Sequence, residues 1–132
     1  MTTTLSANES RVAVAGTDVQ MFSGGSGPPI LFLHGAGGSR GWQPFLQSLA
    51  ASNTVYAPSQ PGFNGTERPG WLATINDMAH FNLQLAQQLG LDQYVLMGHS
   101  MGGWIAAEMA AMSQSSLKGL VLIDGVGIRP KN

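Results

Sequence analysis

Tyr94-Val-Leu-Met-Gly-His-Ser-Met-Gly102 places an apolar run directly before Ser100, which lies between Gly98 and Gly102, and an Ala- and Met-rich stretch follows to Met112. The pattern G-x-S-x-G is common by chance. It acquires meaning only where a strand precedes it and a helix follows, as here. A turn that sharp leaves no room for side chains at Gly98 and Gly102, and it strains the backbone of Ser100 while holding its hydroxyl outward. The following helix presents free N–H groups and the positive end of its dipole at the same point. Ser100 is therefore the candidate nucleophile, and the Met101 N–H a donor to a developing oxyanion. Gly103, Ala106 and Ala107 would let this helix lie close on a sheet, which is a packing role.

Upstream, the unbroken apolar run Ile30-Leu-Phe-Leu33 suits a strand buried on both faces, and His34-Gly-Ala-Gly-Gly-Ser39 follows it immediately. A glycine-rich loop at the carboxyl end of a strand can aim backbone N–H groups into the crevice where open α/β sheets bind ligands. The second oxyanion donor is expected at Ala36, with Gly37 as the next choice. A phosphate-cradling loop is the rival reading, but the stretch has neither G-x-G-x-x-G nor the Walker lysine. His34 is expected to orient the loop and not to act as a base.

The remaining segments alternate short apolar runs with stretches of helical period, which indicates βαβ units and a parallel sheet. Arg11 to Ala15 and Val19 to Phe22 read as an antiparallel hairpin turning through Gly16-Thr-Asp18. Trp42 to Ala51 carries apolar residues on one helical face, and Thr54 to Ala57 reads as a strand ended by Pro58. Ile75, Met78, Ala79, Leu85, Ala86 and Leu89 form the stripe of a longer helix, with Thr74 as N-cap, Asp77 three residues on and Gly90 as its stop. Leu120 to Ile123 is the last strand, so six strands and three helices are expected in one α/β unit, with helices on both faces of a mostly parallel sheet.

Composition narrows the function classes. With 132 residues the chain suits one core. Its 10% charged residues, formal net charge of −1 and lack of a Lys/Arg run give no electrostatic footprint for nucleic acid or for anionic membranes. Apolar runs of four or five residues are far short of the ~20 that span a bilayer. The opening residues MTTTLSANES have no basic cluster and no apolar core of a secretory signal, so a cytoplasmic location is expected. Zero cysteines exclude disulfides and thiolate metal sites. No ligand cluster suggests a metal or organic cofactor, and the expected partner is a small-molecule substrate.

The strand followed by HGAGGS, the turn Pro58-Ser-Gln-Pro-Gly-Phe63 and the elbow GHSMGG, in that order and spacing, resemble the α/β-hydrolase family over almost the whole chain. The resemblance implies strand order 1-2-4-3-5-6 and a serine hydrolase that works through an acyl-enzyme on an ester or similar carbonyl. A serine at the elbow disfavours the branches that use an aspartate nucleophile. Carbon–carbon bond hydrolysis stays open. The family places its acid and its histidine after the elbow, but no histidine follows His99 in this chain. His99 itself is expected to point away from Ser100. Asp124, at the end of the sixth strand, has two readings: the position where some members carry the acid, or a turn former before Gly125.

The sequence thus reads as the N-terminal part of such a domain, truncated after its sixth strand, with the cap and C-terminal strands absent. The isolated chain is expected to be inactive, and a non-catalytic fragment or binding module is the alternative. It is also expected to self-associate through the exposed sixth strand.

Overall fold

A computed structural model describes residues 7–127. The chain opens with β1 (Asn8–Val14) and β2 (Thr17–Gly24), paired antiparallel. Their turn is Ala15-Gly16, both with positive φ (50° and 79°), the two-residue geometry whose twist matches that of the flanking strands. The turn expected at Gly16-Thr-Asp18 is thus corrected: Thr17 pairs with Val14, which keeps Thr17, Val19 and Met21 on the buried face.

Next come β3 (Pro29–Leu33), α1 (Pro44–Ala50), β4 (Thr54–Pro58), α2 (Ile75–Gln88), β5 (Tyr94–His99), α3 (Met101–Met112) and β6 (Leu117–Ile123). The sheet order is β1-β2-β4-β3-β5-β6, with β4, β3, β5 and β6 parallel. β3 is central. Its Leu31 and Leu33 pack with Leu96 under α2 and α3, while Ile30 and Phe32 pack with Val55, Met97 and Leu46 under α1. Burial on both faces accounts for the unbroken apolar run, because a period-2 alternation would leave one face polar.

Element ends differ from expectation where backbone chemistry decides them. α1 begins at Pro44, not Trp42, since proline lacks the N–H that a first-turn residue leaves unbonded anyway. β6 starts at Leu117, so Lys118 lies inside the strand, beside a register shift at Tyr94/Val95. Gly90, with φ 69°, closes α2 as its C′ residue: its own N–H bonds Gln87 O, and Leu91 N–H reaches back to Ala86 O.

At the other end of α2, Asp77 N–H donates to Thr74 Oγ1 at 3.0 Å, and Asp77 Oδ2 accepts from the Thr74 N–H at 3.1 Å and the Ala73 N–H at 2.8 Å. The bond from Ala73, more than that from Thr74, holds the Asp77 carboxyl below the ordinary value of 3.8. A carboxylate lowered on folding stabilises the native state above its ordinary pKa and ceases to do so as pH falls through the lowered one. Thr74→Ala is expected to lower stability by about 1 kcal/mol in urea unfolding at pH 7. Asp77→Asn is expected to flatten the pH dependence below the ordinary carboxylate value. An unchanged acid limb in Asp77→Asn would refute this account of the cap.

Among the described residues, no helix is long and apolar enough to cross a membrane.

Candidate active site

β5 delivers Ser100 to the carboxyl edge of the sheet, and α3 begins at the next residue. Ser100 has φ 54° and ψ −115°, a conformation that costs a non-glycine residue roughly 1–3 kcal/mol and survives only where its surroundings enforce it. The enforcement is visible in its bonds. Ser100 N–H donates to Ile123 O of β6 at 2.9 Å, and Ser100 O accepts from Gly103 N–H at 2.9 Å and Trp104 N–H at 3.2 Å. The glycines make the turn possible: a Cβ at Gly98 would lie 2.2 Å from Gly102 O, and one at Gly102 would lie 2.1 Å from Leu33 O.

The glycine-rich loop sits against this turn, because a Cβ on Gly35 would lie 3.2 Å from Ser100 Cβ. Ala36, Gly37 and Ser100 line one cavity of about 610 Å³, with Phe32, Phe45 and Ile123 among its apolar walls. Ala36 of the loop and Ser100 of the elbow, 64 positions apart in sequence, therefore meet at one space. The Met101 and Ala36 N–H groups have no acceptor among the described residues. Asp124 stands just past β6, exposed, with φ 48°, and is not among the residues that line the cavity.

The three histidines differ. His34 is buried: its Nδ1 lies 2.7 Å from Gly35 O, and its Nε2 accepts from Gln60 N–H at 2.9 Å. Burial holds its pKa below the ordinary value, against the opposing effect of the Gly35 carbonyl. With both ring nitrogens engaged inside the protein, it has none to offer Ser100. His80 is exposed on α2. His99, expected to point away, instead lines the same cavity as Ser100, its Nδ1 3.3 Å from where a Gly35 Cβ would be. Strand alternation would send neighbouring residues to opposite faces, but Ser100 has left the strand conformation, so the alternation stops at His99. His99 makes no hydrogen bond to Ser100.

Sequence reasoning missed Gln60 and Asn82, a fully buried amide pair behind His34. A signal existed. Asn82 falls on the apolar stripe of α2 between Ala79 and Leu85, and a polar residue there must find a buried partner. Among the described residues no group of three or more His, Cys, Asp or Glu is placed to hold a metal ion.

The family described as the alpha/beta hydrolase fold matches residues 28–132. The chain belongs to the α/β-hydrolase fold family. This α/β-hydrolase chain is 34% identical, over 79% of its length, to the dihydrolipoyllysine-residue acetyltransferase component of the acetoin cleaving system of Cupriavidus necator, covering 28% of that protein. It is 29% identical, over 89% of its length, to 2-hydroxymuconate semialdehyde hydrolase of Pseudomonas sp., covering 43% of it. Among solved structures it is similar to a bacterial membrane phospholipase A, with TM-score 0.89 and 31% identity, over 96% of this chain and 42% of that one. The α/β-hydrolase chain thus spans less than half the length of each of these relatives.

Proposed function

We propose that this chain carries the nucleophile and oxyanion site of a serine hydrolase acting on an ester or similar carbonyl. The observation that supports it most is Ser100, held at φ 54° on a strand-to-helix turn and facing the same cavity as the glycine-rich loop. Ser100 Oγ adds to the carbonyl carbon, its proton passes to a base, and the carbonyl oxygen becomes an oxyanion held by the Met101 and Ala36 N–H groups. Collapse expels the alcohol, which takes a proton back. Water then releases the acid from the acyl-enzyme. Carbon–carbon bond hydrolysis needs the same nucleophile and hole and stays within this reading.

A non-catalytic or binding role is the second reading, favoured by one observation: none of the three histidines is hydrogen-bonded to Ser100. Hydrolysis of a nitrophenyl ester by the 132-residue chain separates the two. The expected result is slow turnover, far below the 1–10³ per second of ordinary enzymes, because a site without its base retains only oxyanion and binding effects, about 10³–10⁴-fold over water in serine proteases. Ser100→Ala is expected to remove that residue of activity. Activity unchanged in Ser100→Ala counts against the proposal. Turnover at ordinary rates that disappears in His99→Ala would make His99 the base.

A further inference from the structure

We propose that Gln60 and Asn82 are positioning residues for the oxyanion loop, holding His34 so that the Gly35–Ala36 peptide turns its N–H toward the cavity. The inference rests on the reading of Ser100 and Ala36 given above. It follows bond by bond from α2 to the loop.

Asn82 is fully buried on the inner face of α2, where it faces Gln60, itself 1% exposed. Gln60 Nε2–H donates to Asn82 Oδ1 at 3.0 Å, and Asn82 Nδ2–H donates to Gln60 Oε1 at 2.6 Å and to Met78 O at 2.8 Å. Two amides that satisfy each other in both directions fix distance and orientation, which a pair of apolar side chains of the same size would not. The side chain of Gln60 is thereby tied to the helix, and its backbone is held with it.

That backbone meets His34. The Gln60 N–H donates to Nε2, so Nε2 is the unprotonated nitrogen and the ring proton sits on Nδ1. Nδ1–H then donates to Gly35 O at 2.7 Å, and Gly38 N–H reaches the same oxygen at 3.0 Å. The edge of the ring also packs on Phe63, centroids 5.1 Å apart. A protonated imidazole could not accept from Gln60, and burial disfavours it.

The last link is the planarity of the peptide. No peptide bond in the described chain is cis, and in a trans peptide the C=O and the following N–H point in opposite directions. With the Gly35 carbonyl turned inward onto His34, the Ala36 N–H must face outward, and Ala36 is exposed at the cavity. The amide pair therefore reaches the oxyanion site through three hydrogen-bonded steps without touching it.

The rival is that Gln60 and Asn82 only fasten α2 to the turn at Pro58. A test must keep the fold while removing the pair. Gln60→Met with Asn82→Leu does so, because replacing both partners by apolar groups of similar shape is far milder than orphaning one. Asn82→Leu alone serves as the destabilised reference.

In chain labelled with ¹⁵N-histidine, the wild type is expected to show His34 as the Nδ1–H tautomer. The folded double variant is expected to show a mixed tautomer, at least tenfold faster hydrogen exchange at the Gln60 amide and a shifted Ala36 amide resonance. Affinity for phenylboronic acid, which forms a tetrahedral adduct on serine, should fall about tenfold. A folded double variant with tautomer, exchange and Ala36 resonance unchanged overturns the proposal. If the wild type binds no boronate, the reading of Ser100 fails, while the tautomer and exchange still decide whether the pair positions the loop.

Discussion

Gly102→Ala is expected to lower stability by more than about 3 kcal/mol, although alanine is the better helix former by roughly 1 kcal/mol. The added Cβ would stand 2.1 Å from Leu33 O, 2.6 Å from Leu33 C and 2.7 Å from His34 O. All three atoms are backbone. No rotamer change can make room, so α3 must move off β3 or the loop must shift. Overpacking a core side chain costs typically 1–3 kcal/mol even where neighbours can adjust, and here they cannot. Against a total stability of about 5–15 kcal/mol, a loss above about 3 kcal/mol is a large share of the margin that keeps the chain folded. Urea unfolding followed by circular dichroism measures it, with Gly70→Ala as the control, since nothing lies within 4 Å of a Cβ there. A Gly102→Ala protein as stable as the control would show that the close approach of helix and strand is not needed. Gly98→Ala should behave like Gly102→Ala, for its Cβ would stand 2.2 Å from Gly102 O, 2.5 Å from Gly102 C and 2.7 Å from Gly103 N, again all backbone.

These glycine contacts explain what was legible from sequence. Gly98 is required by Gly102 O four residues on, so there a local pattern reports a local constraint, whereas Gly102 is required by Leu33 at the end of β3, which the motif alone does not name. The strand order needed more. It rested on resemblance, because nothing in the residues of β4 states that it lies between β2 and β3. The hairpin turn was misplaced by one residue, since Gly16-Thr-Asp18 and Ala15-Gly16 both offer turn chemistry. Only the inward alternation of Val14, Thr17 and Val19 chooses between them. The placement of His99 and the Gln60–Asn82 pair lay beyond the sequence for different reasons. The direction of His99 depends on the broken strand geometry at Ser100, and the amide pair joins residues 22 apart through a turn whose path no periodicity describes.

At micromolar concentration the 132-residue chain is expected to self-associate through β6. One side of this strand is hydrogen-bonded to β5, and the other has no strand partner among the described residues. Leu120, Val121, Leu122 and Ile123 are each 38–40% exposed. Four successive apolar residues at that exposure mean that both faces of the strand meet solvent, since neighbours point to opposite sides. Val126 and Trp104 extend the apolar surface beyond the strand. Lys118, the sole charge in the strand, lies near its start and leaves the apolar run uninterrupted. A strand with a free row of N–H and C=O groups and no proline or inward charge is a template for pairing, and a second copy of the chain supplies a matching edge. Leu120→Lys with Leu122→Lys puts two like charges on one face of that edge, where pairing would bring them against those of a second copy. Sedimentation velocity of wild type and double variant decides the matter. Oligomers in the wild type that give way to monomer in the variant, at equal stability in urea, are the expected result. A wild-type chain that sediments as a monomer with cooperative unfolding would mean that the exposed edge needs no partner.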